Sequence, residues 1–73
     1  MKDIGKVKEY NDYYGVIINE KGDKYLLLDK EVVEGDKIKE SDLVSFVPEY
    51  FEKNDVKQKV ARFVKKIDLK KKP

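Results

Sequence analysis

The chain has 73 residues, of which 44% are charged and 40% hydrophobic, and its formal net charge is +2. A chain of this size forms one domain with a small core, since it buries only roughly 60% of its unfolded surface. The sequence has no Cys and no His, which excludes disulfides, thiolate or imidazole catalysis and zinc knuckles. We therefore expect a folded domain that is not an enzyme and holds no metal or cofactor.

Hydrophobic runs in the sequence are short. None approaches the roughly 20 apolar residues that a transmembrane helix needs. The first six residues contain no apolar segment of the kind found in signal peptides. These features favour a cytoplasmic protein without a membrane partner.

The first half of the chain has the apolar alternation typical of β-strands. The first strand is predicted over residues 4–10, the second over 13–18 and the third over 25–28, all rich in aromatic, aliphatic or β-branched residues. A Gly-containing turn at 19–23 predicts that the second and third strands form a hairpin.

A highly charged loop is predicted over residues 29–42. Ile38 is the expected core anchor of this loop, because it is apolar among charged neighbours. A short helical or 3₁₀ turn is expected at 31–33.

Two further strands are predicted in the second half. The fourth covers residues 43–47 and is expected to end at Pro48, which has no N–H to donate to a ladder. A loop is predicted over 49–55, followed by a fifth strand over 56–67. Apolar residues in that last segment also fit helical spacing, so a helix remains the alternative there.

Five short strands in so small a chain predict a closed or nearly closed barrel, because closure removes exposed strand edges. The predicted fold is therefore all-β, a small five-stranded antiparallel barrel over residues 1–67. Residues 68–73 are rich in lysine and are expected to form a disordered basic tail.

The charge is distributed unevenly along the chain. From Lys57 onward there are eight basic residues and one acidic residue, a net charge of +7, which leaves −5 for residues 1–56. Such a basic C-terminal segment suits a polyanionic partner. The alternative is that the final lysines are only a solvated tail.

Several short motifs follow one another along the chain: GKVKEYN at 5–11, YGVI at 14–17, YLLLD at 25–29, VSF at 44–46 and ARFV at 61–64. In order and spacing, over residues 4–67, they resemble the cold-shock domain, a five-stranded barrel of the OB class. The resemblance implies an OB-type barrel that binds single-stranded nucleic acid, RNA rather than DNA by expectation, without catalysis. It also implies an RNA-chaperone role that keeps strands unpaired.

The chain departs from the cold-shock pattern at several aromatic positions. The family's Trp is Glu9, and the second Phe of its first RNA-binding motif is Val16. In the second motif Leu26, Leu28 and Asp29 stand where the family has Phe, His and Phe. Fewer rings are therefore available for base stacking, so we expect weak and strongly salt-dependent binding.

Alternation in the two central strands predicts one outward surface. Tyr14, Val16 and Ile18 share a face of the second strand. If the third strand pairs as the resemblance implies, Leu26 and Leu28 lie on that face, and Tyr25 and Leu27 point inward.

The predicted nucleic-acid site combines stacking rings, aliphatic neighbours and cations. Its residues are Lys6, Lys8, Tyr10, Tyr13, Tyr14, Val16, Leu26, Leu28, Lys59 and Arg62, and its partner is single-stranded RNA or DNA. Tyr10 and Tyr14 could instead close the barrel, and the basic side chains could simply be solvated.

The aliphatic surface supports a second hypothesis. An exposed apolar patch usually marks an interaction site, and here it would consist of Val16, Ile18, Leu26 and Leu28. The alternative function is therefore a protein-interaction or self-association module, with a protein partner or a homodimer through this patch, that has lost nucleic-acid binding. A third possibility is that Tyr50 and Phe51 fold across the patch.

Overall fold

The structure is a computed structural model that describes residues 2–33, 35 and 37–67. Its elements are β1 (Asp3–Tyr10), β2 (Tyr14–Asn19), β3 (Lys24–Leu28), a 3₁₀ turn (Asp29–Glu31), β4 (Leu43–Lys53) and β5 (Val56–Lys66). The basic tail expected at 68–73 lies outside the described residues.

The five strands form a closed barrel in the order β1-β2-β3-β5-β4. The ladders are antiparallel except between β3 and β5, where Leu26 lies opposite Val60 in a short parallel pairing. The all-β barrel prediction is thus confirmed, with one parallel ladder that the sequence did not indicate. The last segment is a strand, so the helical alternative for it is wrong.

β4 is longer than predicted. It continues through Pro48 to Lys53, so the expected end at Pro48 and the expected loop over 49–55 are both wrong. β1 pairs with β4 only as far as Phe46. Beyond that point β4 has an open edge, and a proline without an N–H is tolerated on such an edge.

A two-residue turn joins β4 to β5. Asn54 and Asp55 both have positive φ, 53° and 64°, as in the type I′ turns that match the twist of a hairpin. Lys53 and Val56 are paired on either side of the turn. The result is a long hairpin that extends beyond the barrel, and the molecule measures 47 Å along its longest axis.

The connection from β3 to β4 covers one end of the barrel. Its 3₁₀ turn starts at Asp29, two residues before the predicted position. The N–H of Val33 donates to the carbonyl of Val64 at 2.8 Å. Ile38 is buried in the core, as predicted.

The core consists of the inward side chains of all five strands together with Ile38. Tyr25 and Phe46 pack with ring centroids 5.0 Å apart, and each large apolar side chain buried in this way contributes roughly 1.5–3 kcal/mol. The core residues are Val7, Ile17, Tyr25, Leu27, Ile38, Val44, Phe46, Ala61 and Val64.

Candidate nucleic-acid interface

Two exposed tyrosines flank the start of β2. Tyr13 is 76% exposed and Tyr14 57% exposed. Tyr13 precedes the strand, which begins at Tyr14 rather than at Tyr13 as predicted. Asn11 fixes this loop, because its Oδ1 accepts hydrogen bonds from the backbone N–H groups of Tyr13 and Tyr14, each at 3.0 Å. The two rings are therefore held on an ordered loop, an arrangement suited to base stacking.

The outward face of β2 and β3 follows the predicted alternation. Tyr14 lies opposite Leu28, and Val16 lies opposite Leu26. The aliphatic side chains of this face are half-buried, whereas Tyr25 and Leu27 are buried inside the barrel. The predicted surface is thus formed, with Tyr14 at one end of an aliphatic strip of Val16, Ile18, Leu26 and Leu28.

Tyr10 lies on the other side of the sheet. It is paired with Gly15 and packs against the core, and its hydroxyl donates to Oδ1 of Asp29 at 2.8 Å. Burial, followed by this hydrogen bond to a carboxylate, raises the pKa of Tyr10 to about 12. The structure therefore places Tyr10 at the end of the barrel, apart from the face that carries Tyr14.

Two of the predicted cations are engaged by carboxylates. Nη1 of Arg62 donates to Glu49 at 2.7 Å, and Nε lies 2.9 Å from Oε1 of Glu31. The hydrogen bonds to these two carboxylates raise the pKa of Arg62 above its ordinary value, and Glu31 has the larger effect. Nζ of Lys59 lies 3.6 Å from Asp23 and 5.8 Å from the centre of the Tyr25 ring. A phosphate would have to compete with these partners.

The lysines of β1 are placed differently. Lys6 and Lys8 are both exposed, and neither forms an ion pair with any residue that the structure describes. Lys6 is paired with Ile18, so its side chain leaves the sheet on the side of the aliphatic strip. The available positive charge of the predicted site thus lies on β1.

Sequence reasoning did not include Glu9 or Phe63 in the site, and it considered Phe51 only as a cover for the aliphatic patch. Glu9 is paired with Val16, which puts a carboxylate on the outward face. Phe51 and Phe63 are 48% and 66% exposed. A register shift between Glu9 and Val7 marks a bulge in β1, and such irregularities have no clear signature in the local sequence.

Tyr50 and Phe51 do not act as one cover over the aliphatic strip. The Tyr50 hydroxyl lies 3.3 Å from that of Tyr25, so Tyr50 belongs to the face that continues from the barrel interior. Phe51 lines a groove together with Leu26. Only Phe51 therefore borders the strip.

Metal-binding and membrane-spanning features were also sought. Within residues 2–33, 35 and 37–67, no three side chains of the His, Cys, Asp or Glu type are grouped as a metal site would require. No helix in the same part of the chain is long and apolar enough to span a membrane.

The chain matches no protein-family model and no curated protein sequence. Its three-dimensional structure is similar to that of drosophila Unr CSD456, with a TM-score of 0.73 and 15% sequence identity. The similarity covers 100% of this chain, which spans 29% of the length of that one. Together with the closed barrel and the confirmed outward face, this similarity shows that the chain has the fold of a cold-shock domain, a five-stranded barrel of the OB type.

Proposed function

We propose that this domain binds single-stranded nucleic acid, RNA rather than DNA, without catalysing a reaction. The observation that carries the proposal is the exposed ring of Tyr14 at the end of an aliphatic strip, on a residue whose backbone N–H is bound by Asn11. Bases stack on such rings largely irrespective of sequence. The cold-shock fold supports the proposal, since that family's outward face is the surface that binds single strands.

The binding is expected to be weak. Tyr13 and Tyr14 are the stacking rings, and Leu26 and Leu28 supply only aliphatic contact. Lys6 and Lys8 supply the charge, since Arg62 and Lys59 are held by carboxylates. Each phosphate contact to a single strand contributes about −0.7 to the slope of log K against log salt, so two or three contacts give a slope between about −1.4 and about −2.1.

The test is a fluorescence anisotropy titration of a labelled oligo-pyrimidine RNA at low and moderate salt. Tyr14→Ala should weaken binding roughly 5- to 150-fold, the equivalent of one lost base stack. Tyr14→Phe keeps the ring and should bind within about twofold of the wild type. Equal affinity of Tyr14→Ala and the wild type would contradict the proposed face.

The aliphatic strip supports a second candidate function, protein interaction or self-association. Its side chains are half-buried and retain surface that a partner could contact: Val16, Ile18, Leu26 and Leu28. A ¹⁵N-labelled sample distinguishes the two functions. Nucleic-acid binding predicts shifts at Lys8, Tyr14 and Leu26 that fade as salt rises. No shifts at low salt, with concentration-dependent broadening over residues 16–28, would favour self-association through the strip. A cytoplasmic location stays a prediction of the sequence.

A further inference from the structure

The far half of the β4–β5 hairpin has an edge that the barrel does not cover. β1 pairs with β4 only as far as Phe46, and no described backbone group outside the hairpin bonds to residues 47–53. This stretch of β4 therefore has β5 on one side and no described strand on the other; we call its unpaired side the β4 edge. An unpaired strand edge is a template on which a further strand can add.

The turn of the hairpin determines which backbone groups face the β4 edge. Lys53 and Val56 flank a two-residue turn, so they form the hydrogen-bonded pair that closes such a hairpin. Hydrogen-bonded and non-hydrogen-bonded pairs alternate along an antiparallel ladder. Tyr50 and Glu52 therefore direct their N–H and C=O groups away from β5, towards the β4 edge. Pro48 has the same orientation, which agrees with its lack of an N–H.

The side chains along the β4 edge are aromatic in the middle and oppositely charged at the ends. Glu49, Phe51 and Lys53 share one face of the strand. Phe51 is 48% exposed, and Lys53 forms no ion pair with any residue that the structure describes. Glu49 binds Arg62, yet 42% of its side chain remains exposed. An identical edge that runs in the opposite direction presents the complementary order of charges.

We propose that the β4 edge pairs antiparallel with the β4 edge of a second copy of this chain, about a twofold axis at Phe51. Tyr50 of each copy then exchanges both backbone hydrogen bonds with Glu52 of the other. The two Phe51 residues lie opposite each other in a non-hydrogen-bonded pair, where side chains approach most closely. Lys53 of each copy forms an ion pair with Glu49 of the other.

The length of the open edge favours this register. Residue 51 is the midpoint of the segment 47–55, which runs from the end of the β1 pairing to the end of the turn. The tip of each hairpin therefore reaches the point where β1 of the other copy begins. The two barrels lie at opposite ends of a continuous sheet made of the two hairpins.

Pro48 favours the same register. With the axis at Phe51, Pro48 lies opposite Asn54, a turn residue outside the ladder, so its missing N–H leaves no ladder group unpaired. An axis at Tyr50 would put Pro48 opposite Glu52 and leave the Glu52 carbonyl without a donor. The inference is independent of the proposed function, because the pairing uses none of the predicted nucleic-acid-binding residues.

Amide hydrogen exchange and sedimentation velocity test the pairing from micromolar to millimolar concentration. The wild type should dimerise, and exchange of the Tyr50 and Glu52 amides should slow as the concentration rises, since these N–H groups are bonded only in the dimer. The Phe51 amide faces β5 and should be protected already at the lowest concentration. A chain that stays monomeric at millimolar concentration refutes the proposal. Concentration-dependent changes confined to residues 16–28 would also refute it, because they place self-association on the aliphatic strip.

Exchanging the charges tests the register. Lys53→Glu puts carboxylates opposite each other across the axis, and Glu49→Lys does the same with ammonium groups. Each variant alone should dimerise at least about fivefold more weakly than the wild type, with its fold checked by its ¹⁵N–¹H spectrum. A heterodimer of the two variants has both ion pairs again and should form within about threefold of wild-type affinity. A mixture that associates no better than the single variants would exclude this register.

Two proline variants test the backbone pairing. Glu52→Pro removes an N–H that faces the β4 edge and none that bonds to β5, and it should weaken dimerisation roughly 5- to 150-fold. Lys57 is paired with Glu52, and its N–H faces the other edge of the hairpin. Lys57→Pro is therefore the matched control and should leave dimerisation within about twofold. Equal weakening by both prolines would show that distortion of the hairpin controls association and would overturn the proposal.

Peptides distinguish a second copy from any other extended chain. A peptide with the sequence of residues 47–55 should protect the Tyr50 and Glu52 amides, and a peptide of the same composition in scrambled order should not. Equal protection by both peptides would show that the β4 edge accepts extended chains without regard to sequence, and the second copy would be the wrong occupant.

Discussion

Gly15 lies between the two outward residues Tyr14 and Val16, and the backbone of β1 crosses it at close range. An added Cβ would overlap the carbonyl oxygen of Glu9 and lie 2.9 Å from Cα of Tyr10. Neither atom belongs to a flexible side chain that could move aside. Gly15→Ala therefore requires β1 and β2 to separate at the point where they are paired.

The expected cost follows from two contributions. Overpacking a closely packed site costs about 1–3 kcal/mol, and loss of two backbone hydrogen bonds of the β1–β2 ladder adds about 1 kcal/mol each. The total of about 3–5 kcal/mol is a large part of the roughly 4–11 kcal/mol that a domain of this length has. The melting temperature should fall by roughly 12–40 °C.

Urea unfolding followed by circular dichroism measures this loss, and Gly22→Ala is the matched control. Gly22 has a φ of +90°, but an added Cβ there would meet nothing within 4 Å. Its substitution should cost only the left-handed backbone penalty of about 1–2 kcal/mol. If Gly15→Ala destabilises the domain no more than Gly22→Ala, the close approach of β1 has no energetic consequence and the reasoning is refuted.

Two further substitutions test local chemistry. Because the pKa of Tyr10 is raised to about 12, its neutral form contributes stability that is fully present below the ordinary value of about 10 and is lost as pH rises towards 12. Over that range wild-type unfolding free energy should fall about 1–2 kcal/mol more than that of Tyr10→Phe, after allowance for solvent screening; parallel pH profiles would contradict this. Phe63 has a φ of +52°, which Asn tolerates better. Phe63→Asn should raise the urea midpoint by the equivalent of about 0.5–1 kcal/mol, net of the lost contact with Arg62 at 5.7 Å. A lower midpoint would show that the ring stabilises β5 where its pairing with β4 shifts register between Arg62 and Lys65.

The inward and outward sides of the strands could be predicted from the sequence. Tyr25 and Leu27 are buried, and Leu26 and Leu28 lie on the opposite side, as alternation indicated. This prediction succeeded because a period of two depends only on neighbouring residues. It does not require the ends of the strand to be known.

The extent of β4 could not be predicted in the same way. Pro48 is compatible with a strand only where its backbone nitrogen faces an open edge. The edge of β4 is open at Pro48 because β1 pairs with β4 only as far as Phe46, and this limit is set by how the barrel closes. The turn at Asn54 and Asp55 had a local signal, because both residue types tolerate positive φ. That signal was outweighed by the proline.

The candidate site was harder to predict than the fold because its charges are paired across distant parts of the chain. Arg62 meets Glu31 from the 3₁₀ turn and Glu49 from β4. Those contacts depend on the β4–β5 register and on the path of the β3–β4 connection. Counting basic residues along the sequence therefore predicts the sign of the net charge of the C-terminal segment. It does not predict which basic side chains are available to a ligand.

The pairing of Arg62 has a consequence for how the domain would hold a strand. Two carboxylates around one guanidinium leave a local charge of −1 in the middle of the outward face, and Glu9 adds another carboxylate beside Val16. Lysines that form no ion pair with any residue that the structure describes lie near its two ends, Lys6 and Lys8 on β1 and Lys53 at the tip of the β4–β5 hairpin. A nucleic-acid strand that contacts only the centre of the outward face would meet more negative than positive charge. A longer nucleic-acid strand that spans both ends of the face would meet lysines at each end. Affinity should therefore depend on strand length more steeply than in a barrel whose cations lie beside its stacking rings.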